Sequence, residues 1–178
     1  MNNYKAMDIA NYIIWYVNKD EDVPLGELTP LKLQKILYYV AANYLKNNDE
    51  LLFDEPFQKW QYGPVVKEVY REFKSANIYH ISKPKSLIEE SSDAPFGIHK
   101  RDFKEELFLA DKKFVETADP IIERLIRRKA FDLVEMTHRE EAWSRYEPEI
   151  NSGIQNLIYS LSELKKAKDI WINELWTS

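Results

Sequence analysis

A threonine–proline pair at positions 29 and 30 opens an apolar series at Leu33, Ile36, Leu37, Val40, Ala41 and Tyr44. This run constrains the fold more than any other stretch of the chain. Thr29 can accept a hydrogen bond from a backbone N–H of the first helical turn. Pro30 then occupies the first helical position, where its missing N–H costs nothing. The 3, 1, 3, 1, 3 spacing that follows places one apolar stripe along a helix facing a core. Lys32, Lys35, Tyr39, Asn43 and Lys46 fall on its other faces. Asn47, Asn48 and Asp49 suit a helix stop and a turn.

Other elements follow from the same rules. Ala6, Ala10, Ile13, Ile14 and Val17 predict a first helix over residues 4–18, and a polar loop with Pro24 and Gly26 follows it. Residues 50–62 read as extended or irregular and bring Phe57, Trp60 and Tyr62 close together in sequence. Pro64, after Gly63, is expected to open a third helix with Val66, Val69, Tyr70 and Phe73 on its buried side. Residues 75–103 carry Pro84, Pro95, Gly97 and several serines, which fit loops and a small hairpin with strands near Ile78–Ile81 and Leu87–Ile88. Asp119 and Pro120 repeat the cap-then-proline signal ahead of Ile121, Ile122, Leu125 and Ile126. A further helix is expected over Phe131–Met136, and a last amphipathic helical region over 154–175. The predicted fold class is mainly α: a single compact helical domain over residues 1–178, with a small β-hairpin or extended element between residues 50 and 100.

Composition removes several function classes. A chain of 178 residues fits one domain of roughly 100–200 residues. There is no cysteine, so thiolate chemistry, disulfides and cysteine zinc sites are excluded, and a reducing cytoplasm is the expected location. The N-terminus lacks the charged leader and unbroken apolar run of a secretory signal, and no apolar stretch reaches the roughly 18 residues of a membrane span. The formal net charge of -5 argues against nucleic acid as a partner, because phosphate binding relies on clustered Lys and Arg. The one basic knot, Arg124, Arg127, Arg128 and Lys129, reads as a solvated helix end.

Catalytic signatures are missing. The four glycines stand apart, at 26, 63, 97 and 153, so no phosphate-cradling loop is formed. His80, His99 and His138 are far apart in sequence, and His138 reads as a hydrogen-bonding residue at a helix end rather than a metal ligand. Neither carboxylate group, Glu89/Glu90/Asp93 or Glu105/Glu106, has the dedicated partner that acid–base catalysis needs. The expectation is a non-enzyme without a cofactor.

Five Trp, eleven Tyr and eight Phe supply either core volume or a binding face. Trp60 and Tyr62 stand open between those roles, and Trp171 and Trp176 either cap the core or grip a partner. Tyr38 and Tyr39 point about 100° apart on a helix, and Tyr39 is the expected exposed member.

Three ordered motifs carry a resemblance. They are Leu28-Thr29-Pro30-Leu31-Lys32-Leu33-Gln34-Lys35-Ile36-Leu37-Tyr38-Tyr39; then Leu52-Phe53-Asp54-Glu55-Pro56 with Trp60, Tyr62-Gly63-Pro64-Val65-Val66 and Val69-Tyr70; and last Leu133 with Thr137-His138 and Trp143. Together, over about residues 5–145, they resemble the Panacea, or SocA-like antitoxin, domain of bacterial and phage toxin–antitoxin systems. The resemblance implies a cytoplasmic antitoxin that neutralises a cognate protein toxin, encoded next to it, by direct binding. One branch of the family instead implies a second partner, a protease to which the toxin is delivered. A hydrolase or nuclease acting alone is the alternative from another class. The interface expected on this basis includes Gln34, Lys35, Tyr39, Trp60, Tyr62 and Arg71. The structural alternatives are that Gln34 caps a buried backbone group and that Trp60 sits in the core. Thr29, Pro30, Gly63, Pro64, Tyr70, His138 and Trp143 are the family-motif positions, with Gly63 and Pro64 expected to be architectural.

Overall fold

The computed structural model describes residues 4–24, 27–74 and 81–170. Gly26, Ile78, His80, Trp171 and Trp176, singled out from the sequence, lie outside the described residues. Over these described residues the fold is mainly α, with two small antiparallel hairpins. In chain order it runs α1 (Ala6–Lys19), α2 (Pro30–Asn48), β1 (Phe57–Trp60), β2 (Gly63–Val66) and α3 (Lys67–Phe73). It continues with β3 (Leu87–Glu90), β4 (Ile98–Arg101), α4 (Glu105–Leu109), α5 (Lys112–Ile126) and α6 (Ala130–His138). Three short helices follow: α7 (Glu141–Ser144), α8 (Glu147–Asn151) and α9 (Leu161–Leu164).

Helix α2 starts where its sequence signals place it, with Thr29 Oγ1 accepting from Lys32 N at 3.2 Å and Pro30 as the first residue. It ends at Asp49, whose left-handed backbone returns its N–H to Leu45 O. The sequence implied one buried stripe. Instead every residue from Lys32 to Leu45 is buried, because α1, α3, α5, α6 and β2 surround the helix. Such a helix must satisfy its own polar side chains internally. Lys32 Nζ donates to Glu27 Oε2 at 2.8 Å and to Ile126 O at 3.0 Å. Asn43 donates to Lys168 O and accepts from Ile170 N, holding the C-terminal segment.

Helices α1 and α5 are joined by a tyrosine–carboxylate ladder. Tyr4 donates to Asp111, Tyr12 to Asp119 and Tyr16 to Glu123. The offset is 107 residues each time, so the two helices run side by side in one direction. Burial raises the pKa of each of these hydroxyls, and hydrogen bonding to the carboxylate adds to the effect. This pairing corrects the reading of Asp119–Pro120 as a helix start. Asp111 is the N-cap, accepting from Phe114 N, and α5 runs on through Pro120. The helix keeps its course despite the lost N–H because Ile121, Ile122, Leu125 and Ile126 are buried against α1 and α2.

Two further expectations change. Pro64 lies inside β2 and α3 begins only at Lys67. The stretch after Ile154 is not one continuous helix over its described residues. Leu157–Tyr159 is extended and lies beside β1, with Lys59 N donating to Leu157 O and Tyr159 N to Phe57 O. The short α9 follows, capped by Ser160 and Glu163.

Candidate functional site

The three sequence motifs meet at the β1–β2 hairpin. Its tight reversal needs one left-handed residue, and Gly63 supplies it with φ 91°. A Cβ there would come inside 3.0 Å of Thr137 Oγ1 and would also press on Lys35 Cε at 3.0 Å. One glycine, one α2 lysine and one α6 threonine thus close on a single point.

The free edge of β2 is sealed by α2. Gln34 accepts from Val66 N at 2.9 Å and donates to Val66 O at 3.2 Å. Lys35 Nζ donates to Pro64 O at 2.8 Å, and Pro64 has no N–H to satisfy. Lys35 is fully buried and pairs with no carboxylate among the described residues, and desolvation alone holds its pKa down to about 7. Trp143 Nε1 donates to Trp60 O at 2.8 Å, fixing the other end of the hairpin. The ring of His138 stacks on Trp143 with centroids 3.5 Å apart. Burial lowers the His138 pKa first, and the Lys35 charge adds to this; a backbone hydrogen bond with Gln61 opposes it. Its Nε2 is buried without a hydrogen-bond partner.

These facts sort the residues expected at an interface. Gln34, Lys35 and Tyr39 are buried. Tyr39, expected on the outside, shares one carboxylate with its neighbour: Tyr38 and Tyr39 donate to Glu140 Oε2 and Oε1 at 2.7 and 2.9 Å. Both rings are enclosed because α2 has no solvent face at that level. Gln34 performs the capping role weighed as its structural alternative. Arg71 is exposed on α3. Trp60 is half-buried and meets Tyr70 edge-on at 4.8 Å, whereas Tyr62 is 51% exposed.

Trp60, Tyr62 and Tyr70 wall a largely apolar cleft of about 510 Å³, floored by Gln34 and Val65 and bordered by Thr29, Pro30 and Leu31. Lys74 stands at its rim. A second cleft of about 430 Å³, which Tyr62 also lines, runs past Phe131, His138 and Trp143. Sequence reasoning missed Phe131, which is 65% exposed, because it sits among apolar helical residues. It also missed Glu140, which accepts from two tyrosines and from Lys168 N; burial raises the pKa of its carboxyl.

Among the described residues, no group of three or more His, Cys, Asp or Glu side chains is placed to hold a metal ion. Among the same residues, no helix is long and apolar enough to cross a membrane.

Comparison with known proteins agrees with this geometry. The model of the antitoxin SocA-like Panacea domain matches residues 33–144, from α2 through the hairpin to α7. Antitoxin SocA of Caulobacter vibrioides is 35% identical over 80 residues. That alignment spans 44% of this chain and 38% of the relative's length. No solved structure matches. The chain belongs to the SocA-like Panacea family of antitoxin domains.

Proposed function

We propose that the protein neutralises a cognate protein toxin by binding it through the face built on the β1–β2 hairpin. The observation that carries this reading is the aromatic group of half-buried Trp60 with exposed Tyr62 and Tyr70 around an apolar cleft, at a hairpin whose edges are already satisfied. Aromatic anchors of this kind dominate the energetics of protein–protein contacts. Their rigid support lowers the ordering cost of binding. Because the β2 edge is taken by Gln34 and Lys35, a partner meets side chains here rather than adding a strand. Lys74 lines this face and supplies a polar rim, and Arg71 is exposed next to Tyr70 in sequence. Neutralisation then needs affinity and no chemistry. Family membership and the likeness to Antitoxin SocA support the same reading.

The test is to express the reading frame adjoining this gene from an inducible promoter, with and without this protein, and to count surviving colonies. Killing that this protein reverses is the expected result. Tagging the toxin separates the two modes: a constant toxin level marks masking, and a falling level marks delivery to a protease. Killing that persists in its presence, or no toxicity from either neighbour, would overturn the proposal.

A further inference from the structure

We propose that the cleft between the β1–β2 turn and helices α6–α8 receives an arginine side chain of the protein partner. This rests on the binding role proposed above and names the chemistry read there. The walls of the cleft are Tyr62 and Phe131, whose rings stand nearly perpendicular at 6.2 Å and are both more than half exposed. Asp132, Glu135 and Glu147 border the same space, and no Lys or Arg lines it. Glu135 is paired with Arg139 at 3.1 Å. Asp132 and Glu147 make no ion pair among the described residues.

Aromatic faces beside uncommitted carboxylates match a planar cation. A guanidinium stacks on a ring and donates in a fork to carboxylate oxygens, whereas an ammonium is a more strongly hydrated point charge. The floor suits the same guest. The stacked pair His138–Trp143 presents a flat surface, and burial disfavours the charged imidazole, so little repulsion meets an incoming cation. Gln61 and Tyr62 line both this cleft and the neighbouring apolar one, so an apolar subsite adjoins an acidic one. A partner presenting an apolar residue beside an arginine would fill both.

The first probe is N-acetyl-arginine amide, titrated into the isotopically labelled full chain, with N-acetyl-norleucine amide as the uncharged control. We expect saturable shifts at Tyr62, Phe131 and Trp143 with the arginine compound alone. Asp132→Asn together with Glu147→Gln should weaken them about fivefold or more. No shift, equal shifts from norleucine, or an unchanged double variant would overturn the assignment. Both carboxylates are exposed, so these variants keep the fold, and circular dichroism checks that. In the colony assay, Asp132→Lys with Glu147→Lys should cut protection about tenfold or more. Equal protection by wild type and this variant overturns the arginine site and leaves the antitoxin reading standing. If the wild type itself gives no protection, the antitoxin reading falls and the titration alone decides the cleft.

Discussion

The two hairpins are alike in local design and opposite in embedding. Each has four-residue antiparallel strands and a left-handed glycine at or beside its turn. The 57–66 hairpin is tied on both edges. Gln34 and Lys35 close β2, Leu157–Tyr159 lies along β1, and all four residues of β2 are buried. The 87–101 hairpin is tied chiefly at its base. Asn11 exchanges two hydrogen bonds with Lys85, and Arg101 reaches Asp8 and Glu89 at 2.7 and 2.9 Å. Beyond that base, Ile88 and Ile98 face solvent, and Phe96 at the tip is 99% exposed. A side-chain amide gripping extended backbone occurs in both places, but only at Gln34 is that grip buried. A two-stranded ribbon is marginal alone, so its rigidity is set by what holds its edges. The recognition face proposed above stands on the rigid one.

The sharpest way to break this comparison is at the two glycines. Gly63→Val combines a left-handed backbone with a collision against Thr137 and Lys35, and should destabilise by about 3 kcal/mol or more. Gly97→Val meets open space at φ 71°, so only backbone strain remains, about 1–2 kcal/mol. Urea denaturation of the two variants measures the difference. Equal midpoints would mean that the junction of Gly63, Lys35 and Thr137 is looser than described.

The two amide grips come next in size. Gln34→Leu leaves the N–H and C=O of Val66 buried without partners and should cost about 2–4 kcal/mol. Asn11→Leu removes a comparable pair, but at a part-buried site where water can replace it, and should cost about 1 kcal/mol. Hydrogen exchange at Val66 and Lys85 reads each effect locally. Faster exchange at Val66 in the Gln34 variant, with Lys85 unchanged, is the expected pattern.

What the sequence disclosed divides along similar lines. Helix α2 was legible because its start and rhythm are local signals: a cap, a proline and a period. The strand at Leu87 was legible from the loop residues around it, but its partner in the described hairpin, Ile98–Arg101, was not foreseen. Pro64 and Pro120 misled, because proline marks a helix start only when nothing tertiary overrides it. At 64 the strand survives since Pro64 needs no donor on that edge, and at 120 the apolar burial of α5 carries the helix through. Gln34, Lys35 and Tyr39 misled for another reason. Polar atoms suggested a surface, yet α2 is enclosed on every side and each of these groups meets a partner far away in sequence. Trp60 and Tyr62 were flagged by residue type, in a stretch read only as extended or irregular. The acidic cleft beyond them depends on α6 and α8 folding back past the turn, which no spacing rule reports.

The subtlest contrast is electrostatic. Lys35 seals the buried edge with an amine whose pKa is pulled from 10.5 to about 7 by desolvation. The cation serving the other hairpin is Arg101, which stays charged across the accessible range. Below pH 7 Lys35 is protonated in both folded and unfolded chains and contributes no slope. Between about 7 and 10.5 the unfolded chain holds the extra proton, so stability rises with pH. The tyrosines act in the opposite sense, since Tyr12, Tyr38 and Tyr39 have raised values and the unfolded chain loses their protons first, near pH 10. The clean window is therefore pH 7.5–9.5. There the wild type should gain on the order of 1 kcal/mol per pH unit relative to Lys35→Met, with urea denaturation at each pH as the measurement. Parallel profiles for the two proteins would show that water reaches Lys35, and that the β2 edge is less sealed than its hydrogen bonds imply.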